Sequence, residues 1–197
     1  MEEIKVTVLR NELRITALPK SMIKWMNLAG RPTKWDAKGT RVIEIAVPPQ
    51  DAKNLFDLGW RIKVNGYDPD QDKWVNSNNM DDAQKLNDAY YKLKITVSYD
   101  SLRPPKVFRV VEGKDTKKLM RPNATRGEFD VARIDNDEIV SCDLIINAYR
   151  SKKDGKISGY LDTAVFVVKE NEVLDKWASF KTEAEDASGD ELDEMMS

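Results

Sequence analysis

The chain has 197 residues, 41% of them apolar and 34% charged, with a net charge of -2, the composition of one globular domain long enough to bury a core. It contains no histidine and a single cysteine, which excludes a serine or cysteine triad of the usual kind, an imidazole zinc site and an internal disulfide. No apolar run approaches the ~20 residues of a membrane helix, and the opening Met1-Glu2-Glu3-Ile4-Lys5 lacks the basic-then-apolar build of a signal peptide, so a cytoplasmic protein with no membrane partner is expected.

Residues 4–9 alternate Ile4, Val6 and Val8 with Lys5, Thr7 and Leu9 and predict a first strand. In residues 21–28 Met22, Ile23 and Met26 have helical spacing, ended by Gly30 and Pro32, which predicts a short helix, either packed on the core or facing a ligand. Residues 34–41 form a basic loop around Trp35, whose ring is either a lid on the core or a stacking platform. A strand over 41–47, with Ile43, Ile45 and Val47 on one side, stops at Pro48-Pro49. An amphipathic helix over 50–58 follows, closed by Gly59.

Residues 60–64 alternate as a strand with Arg61 and Lys63 outward, and the polar stretch 65–88 reads as a long loop between paired strands, with Trp74 alone in it. Asp68, Asp70 and Asp72 imitate the start of a calcium loop. Lys73, however, stands where glycine is needed and Asn79 where glutamate is needed, so no metal is expected.

Residues 90–99 carry the strongest signal, ten positions of nearly strict alternation. Side chains of a strand point alternately to opposite sides, so Tyr91, Leu93, Ile95, Val97 and Tyr99 make an apolar row and Tyr90, Lys92, Lys94, Thr96 and Ser98 the opposite one. The second row combines a ring with two ammonium groups, the chemistry that stacks bases and holds phosphates.

Arg103-Pro104-Pro105 forces an extended corner before a strand over 106–111. Thr125 to Glu128 has capping-box spacing, and Val131 with Ile134 gives one apolar side to a short helix. Asp135, Asp137 and Glu138 are either a solvated helix end or a set of paired carboxylates for a divalent ion. Residues 140–148 are apolar on one face and include Cys142 as a small core residue. Tyr149-Arg150 ends that strand, residues 151–156 form a basic hairpin turn, and 157–168 return as the last long strand. Seven or so β segments with short helices and no regular βαβ alternation predict a mainly β chain, a barrel or small sandwich.

The net charge hides an asymmetry. Glu183, Glu185, Asp186, Asp190, Glu191, Asp193 and Glu194 meet no base between residues 182 and 197, leaving 27 acids against 32 bases in residues 1–181. A basic body at 1–181 with a flexible acidic tail at 182–197 is the pattern of a polyanion binder that carries its own competitor.

In order and spacing, Trp35 to Arg41, Gly59 to Lys63, Tyr91 to Tyr99, Pro104 to Val107, Asp143 to Ile146 and Gly159 to Leu161 resemble the single-stranded DNA-binding proteins of bacteriophages and related mobile elements. The resemblance covers roughly residues 13–180. It implies an OB-fold-like antiparallel β-barrel and sequence-tolerant binding of single-stranded DNA in phage replication and recombination, with no cofactor and no catalysis. It further implies an acidic C-terminal tail, disordered, that recruits replication or recombination proteins. Tails of this kind often end in an aromatic residue, whereas this one ends Glu194-Met195-Met196-Ser197.

On this reading Trp35, Trp74, Tyr90 and Tyr149 stack on bases, and Lys34, Arg41, Lys92, Lys94, Arg103, Lys106, Arg150, Lys152 and Lys153 contact phosphates. Each ring has the alternative role of capping the core, and each cation that of an ordinary solvated side chain. Two other functions compete: a β-domain interaction or assembly protein, and a nuclease acting through Asp135, Asp137 and Glu138.

Overall fold

A computed structural model describes residues 4–34, 36–124 and 129–171. The acidic tail, Trp35 and the capping-box residues 125–128 lie outside them.

The alternation at 90–99 becomes β7 (Asn87–Thr96), the strand on which the others are arranged. Its inner row is core, with Leu93 and Ile95 at 1% and 0% exposure, and burying such side chains stabilises by roughly 1.5–3 kcal/mol each. One edge of β7 pairs antiparallel with β4 (Val42–Val47). The other pairs first with β5 (Ile62–Asp68) and then, at Ile95 and Thr96, with the start of β11 (Ile157–Val168). Strand β11 in turn carries β10 (Ile139–Arg150) along its whole length on one side. Beyond β7, its other side takes up β8 (Lys106–Val111) in parallel register.

The remaining strands are β1 (Lys5–Val8), β2 (Glu12–Pro19), β3 (Ile23–Asn27), β6 (Lys73–Ser77) and β9 (Lys117–Met120). The main path runs β1-β2-β10-β11-β7-β4-β3 within one eleven-stranded sheet. A single hydrophobic cluster takes in Leu13 and Ile15 of β2, Ile23 of β3, Ile43 of β4, Ile62 of β5 and Phe166 of β11. Strands so far apart along the path share one core because the sheet curls on itself, as the expected mainly β, OB-like barrel with short helices does. The two parallel pairings of β11 are an addition to the antiparallel pattern expected.

Helix α1 (Pro49–Asp57) forms where expected, with proline at its first position, Asp51 in its first turn, and Ala52 and Leu55 buried. Gly59 follows at φ +95°, a backbone angle that a side chain would strain, and turns the chain into buried Trp60. Cys142 is buried, and burial pushes its thiol pKa up.

Several expectations are corrected. Residues 21–28 are not a helix: a 3-10 turn at Lys20–Met22 leads directly into β3. The register against β4 shifts between Ile23 and Trp25, and such a bulge spaces the inward residues three and four apart, which imitates helical periodicity. Residues 65–88 are not a loop either. Strand β5 continues to Asp68, turns back as β6, and a 3-10 turn at Met80–Gln84 leads into β7. This hairpin projects into solvent and contributes few buried side chains, so apolar alternation did not mark it.

Strand β2 carries no alternation throughout because its backbone inverts at Ala17, at φ +53°, where the pairing with β10 also shifts register. Asp68 Oδ1 accepts from the amides of Asp70 and Gln71, and Asp72 accepts from the Tyr67 hydroxyl, so the acid row caps a hairpin turn.

Candidate nucleic-acid interface

Pairing registers settle which side chains share the outer face of β7. Trp25 of β3 lies opposite Glu44 of β4, and Glu44 opposite Lys94 of β7. One step along, Thr96 lies beside Tyr160 of β11, and Tyr160 opposite Asn147 of β10. Strand β5 adds Lys63 opposite Lys92 and Asn65 opposite Tyr90. The β5–β6 hairpin prolongs the same face through Asn65–Asn76 to Tyr67–Trp74. Side chains two apart on a strand share a face, so Ser158 and Tyr149, which pair with each other, join Tyr160 and Asn147 on it.

The face is ringed and cationic. Arg61, Lys63, Lys92 and Lys94 line a groove of about 250 Å³ together with Asn76 and Ser158, and among the described residues Glu44 is its one acid. Glu44 Oε2 lies 3.3 Å from Lys92 Nζ. Lys24 Nζ sits 5.2 Å from the centre of the Tyr90 ring, a cation–π contact. The Asn65 amide and the Tyr90 hydroxyl are hydrogen-bonded at 2.7 Å, and burial is the main cause that pushes the Tyr90 phenol pKa up. Trp25 is 49% exposed, Trp74 58% and Tyr149 55%. Tyr67 meets Trp74, and Tyr149 meets Tyr160, edge to face at 6.4 and 5.9 Å between ring centres.

Of the thirteen candidates, the fold brings Trp74, Tyr90, Lys92, Lys94 and Tyr149 onto this one surface. Arg150, Lys152 and Lys153 belong to the adjoining β10–β11 turn, where an Arg150 Nη donates to the Gly155 carbonyl at 2.6 Å and Arg61 bridges to Asp154 at 2.6 Å. Arg103 and Lys106 line a separate groove beyond Tyr160. Arg41 lies off this face: its Nε donates to the Leu28 carbonyl at 3.0 Å and its guanidinium lies 5.5 Å from the centre of the Tyr99 ring, fastening the 28–41 segment. Lys34 stands exposed in the turn between Thr33 and Asp36, and Trp35 lies outside the described residues.

The face also carries Trp25, Lys24, Lys63 and Tyr160, which are not among the thirteen candidates. Lys63 is legible as an outward strand residue and Tyr160 as part of a matching segment, whereas Trp25 falls within residues 21–28, where the expected helix does not form.

The three carboxylates of the nuclease alternative do not converge. Asp135 accepts from the amides of Leu28 and Ala29, both at 2.9 Å, Asp137 forms a two-point ion pair with Arg109, and Glu138 pairs with Lys169. Each is engaged by a different structural contact.

A curled β-sheet with rings and ammonium groups on one open face defines a class, the β-sheet nucleic-acid-binding modules. The chain belongs to a family of phage single-stranded DNA-binding domains, since the model described as "Putative phage ssDNA-binding domain" matches residues 5–195. No curated protein and no solved structure matches it. Among the described residues no helix is long and apolar enough to cross a membrane.

Proposed function

We propose that the chain coats single-stranded DNA without reading its sequence, during phage DNA replication and recombination, using the outer face of β7 and its neighbours. Phosphates are neutralised by Lys63, Lys92, Lys94, Arg61 and the basic 150–153 turn, while bases stack on Trp25, Trp74, Tyr149 and Tyr160. Each such stack is worth ~1–3 kcal/mol and tolerates any base, because every base has a π face. No reaction is involved. The observation that carries this reading is the register placing Trp25, Glu44 and Lys94 in one row and Thr96, Tyr160 and Asn147 in the next. Five strands at ~4.8 Å spacing give a path of ~19 Å between the outer rings. The tail from Glu183 to Glu194 is proposed to compete with DNA for the basic face and to recruit replication or recombination proteins.

The test is a titration of labelled single-stranded DNA with and without magnesium over a range of salt. Retention without cleavage is expected, with log affinity falling by ~0.7 per phosphate neutralised for each unit of log salt. Cleavage would instead support a nuclease, and neither binding nor cleavage an interaction module.

A further inference from the structure

Beyond Tyr160 the chain builds a second, larger hollow that the flat face does not include. It holds about 710 Å³ between the 103–106 corner and β9, with Pro104, Leu119 and Pro122 among its walls and Arg103, Lys106 and Arg121 around it. Leu119 and the three cations are exposed, and Asp162 is the one acid of the lining among the described residues. This acid is already occupied, its carboxylate accepting from the Asn147 amide at 3.1 Å and the Thr163 hydroxyl at 3.0 Å. Tyr99 adds a ring to the wall.

Two observations tie this hollow to a polynucleotide. Among the described residues its charge is complementary, three cations against one engaged acid. It is also continuous with the β7 face: Asp162 of its lining lies two residues along β11 from Tyr160, or ~7 Å at ~3.3 Å per residue, and takes a hydrogen bond from Asn147, the residue paired with Tyr160. A single strand lying over Tyr160 therefore passes the mouth of the hollow within a nucleotide or two. The walls differ from the flat face in kind. Prolines and a leucine enclosing a volume offer an apolar seat to a base turned out of the stack, where an open sheet offers a ring to lie on.

Resting on the single-strand reading above, we infer that the groove between the 103–106 corner and β9 seats unstacked bases at one end of the bound strand, with Arg103, Lys106 and Arg121 holding the flanking phosphates. Binding then has two parts, a stacked segment over β7 and a seated terminal segment beyond β11. Sequence tolerance survives because apolar walls take any base, whereas a strand lacking bases at that end loses the contact.

The experiment is a double-mutant cycle using the full chain and a labelled oligonucleotide of roughly 12 nucleotides, within the site size of such modules. Two nucleotides at the 5′ end, or two at the 3′ end, are replaced by abasic residues. With the wild-type protein, one of these strands should bind ~5- to 100-fold more weakly than the intact one, and which end suffers gives the polarity. With Leu119→Asn that penalty should shrink to within about twofold. Arg103→Ala with Arg121→Ala, at exposed positions, serves in place of Leu119→Asn if that variant fails to fold.

A penalty of the same size in wild type and variant, or none at either end, overturns the inference. The two readings fail separately. If wild-type protein does not retain intact single strands, the single-strand reading falls. If it retains them and Trp25→Ala weakens binding while the cycle shows no coupling, only the seat for unstacked bases falls.

Discussion

Glu44 and Lys92 meet across β4 and β7 at 3.3 Å, both largely covered, in the middle of a groove whose other charged lining groups among the described residues are cations. A carboxylate placed there holds one lysine of the face and lowers the field that a phosphate meets. Glu44→Gln should therefore raise affinity for single-stranded DNA roughly 3- to 10-fold at low salt and steepen the salt dependence by ~0.7 for the lysine released. Thermal stability should fall at the same time, since the largely covered Lys92 ammonium loses its countercharge. Unchanged affinity would remove Lys92 from the path of the strand.

Trp25 and Trp60 should respond oppositely to truncation. Trp25 is half exposed and Trp60 is 2% exposed. Trp25→Ala should weaken binding by ~1–3 kcal/mol, roughly 5- to 150-fold, with the melting temperature nearly unchanged. Trp60→Ala should cost ~3–5 kcal/mol of stability, read by urea unfolding. A Trp25 variant that binds normally would remove it from the stacking row.

Arg109 and Asp137 are each 2% exposed and form two charge-assisted hydrogen bonds at 2.7 and 3.1 Å. Removing one partner leaves a buried charge, so Asp137→Ala should destabilise by ~3–5 kcal/mol. Arg109→Met combined with Asp137→Leu should cost far less, because it removes both charges and retains volume. Denaturation of the single and double variants checks this, and equal losses would contradict it.

The Asp36 carboxylate accepts from the Thr40 amide at 2.7 Å and the Lys38 amide at 3.1 Å, and the hydrogen bonds from Thr40 are the main cause holding its pKa below the usual value. A pKa depressed by folding means a contribution present above the unfolded-state value of ~3.9 and lost as pH falls through the lower folded value. The Thr40 amide resonance should accordingly titrate with a midpoint below ~3.9, and Asp36→Asn should abolish that transition. A midpoint at or above that value would show the turn held otherwise.

Deleting residues 183–197 removes all seven acids of the tail. Affinity for single-stranded DNA should rise at low salt, and the gain should vanish near 1 M salt, where the screening length falls to ~3 Å. An unchanged affinity at low salt would mean that tail and DNA do not compete.

Legibility tracked how completely a segment was buried on one side. Residues 90–99, 41–47, 140–148 and 157–168 were readable as strands because a curled sheet covers one face and wets the other, which writes period two into the sequence. Helix α1 was readable from its prolines and Gly59. The bulge at Ile23–Trp25, the inversion at Ala17 and the solvent-borne β5–β6 hairpin each break that period, and there the expectation failed or was silent. The site was legible strand by strand for Tyr90, Lys92 and Lys94, whose outward direction follows from alternation alone. Their company was not.

The sequence by itself determined the mainly β class, the core row of β7, the absence of imidazole chemistry and the opposed charges of body and tail, because these follow from local periodicity and composition. Only the tertiary structure decided which strands lie side by side. Register between segments distant in the chain set Trp25 beside Glu44 and Lys94, Tyr160 beside Thr96, and Lys106 beside Thr163. A face assembled from β3, β4, β5, β6, β7, β10 and β11 is a property of those pairings, and no single stretch of the chain encodes it.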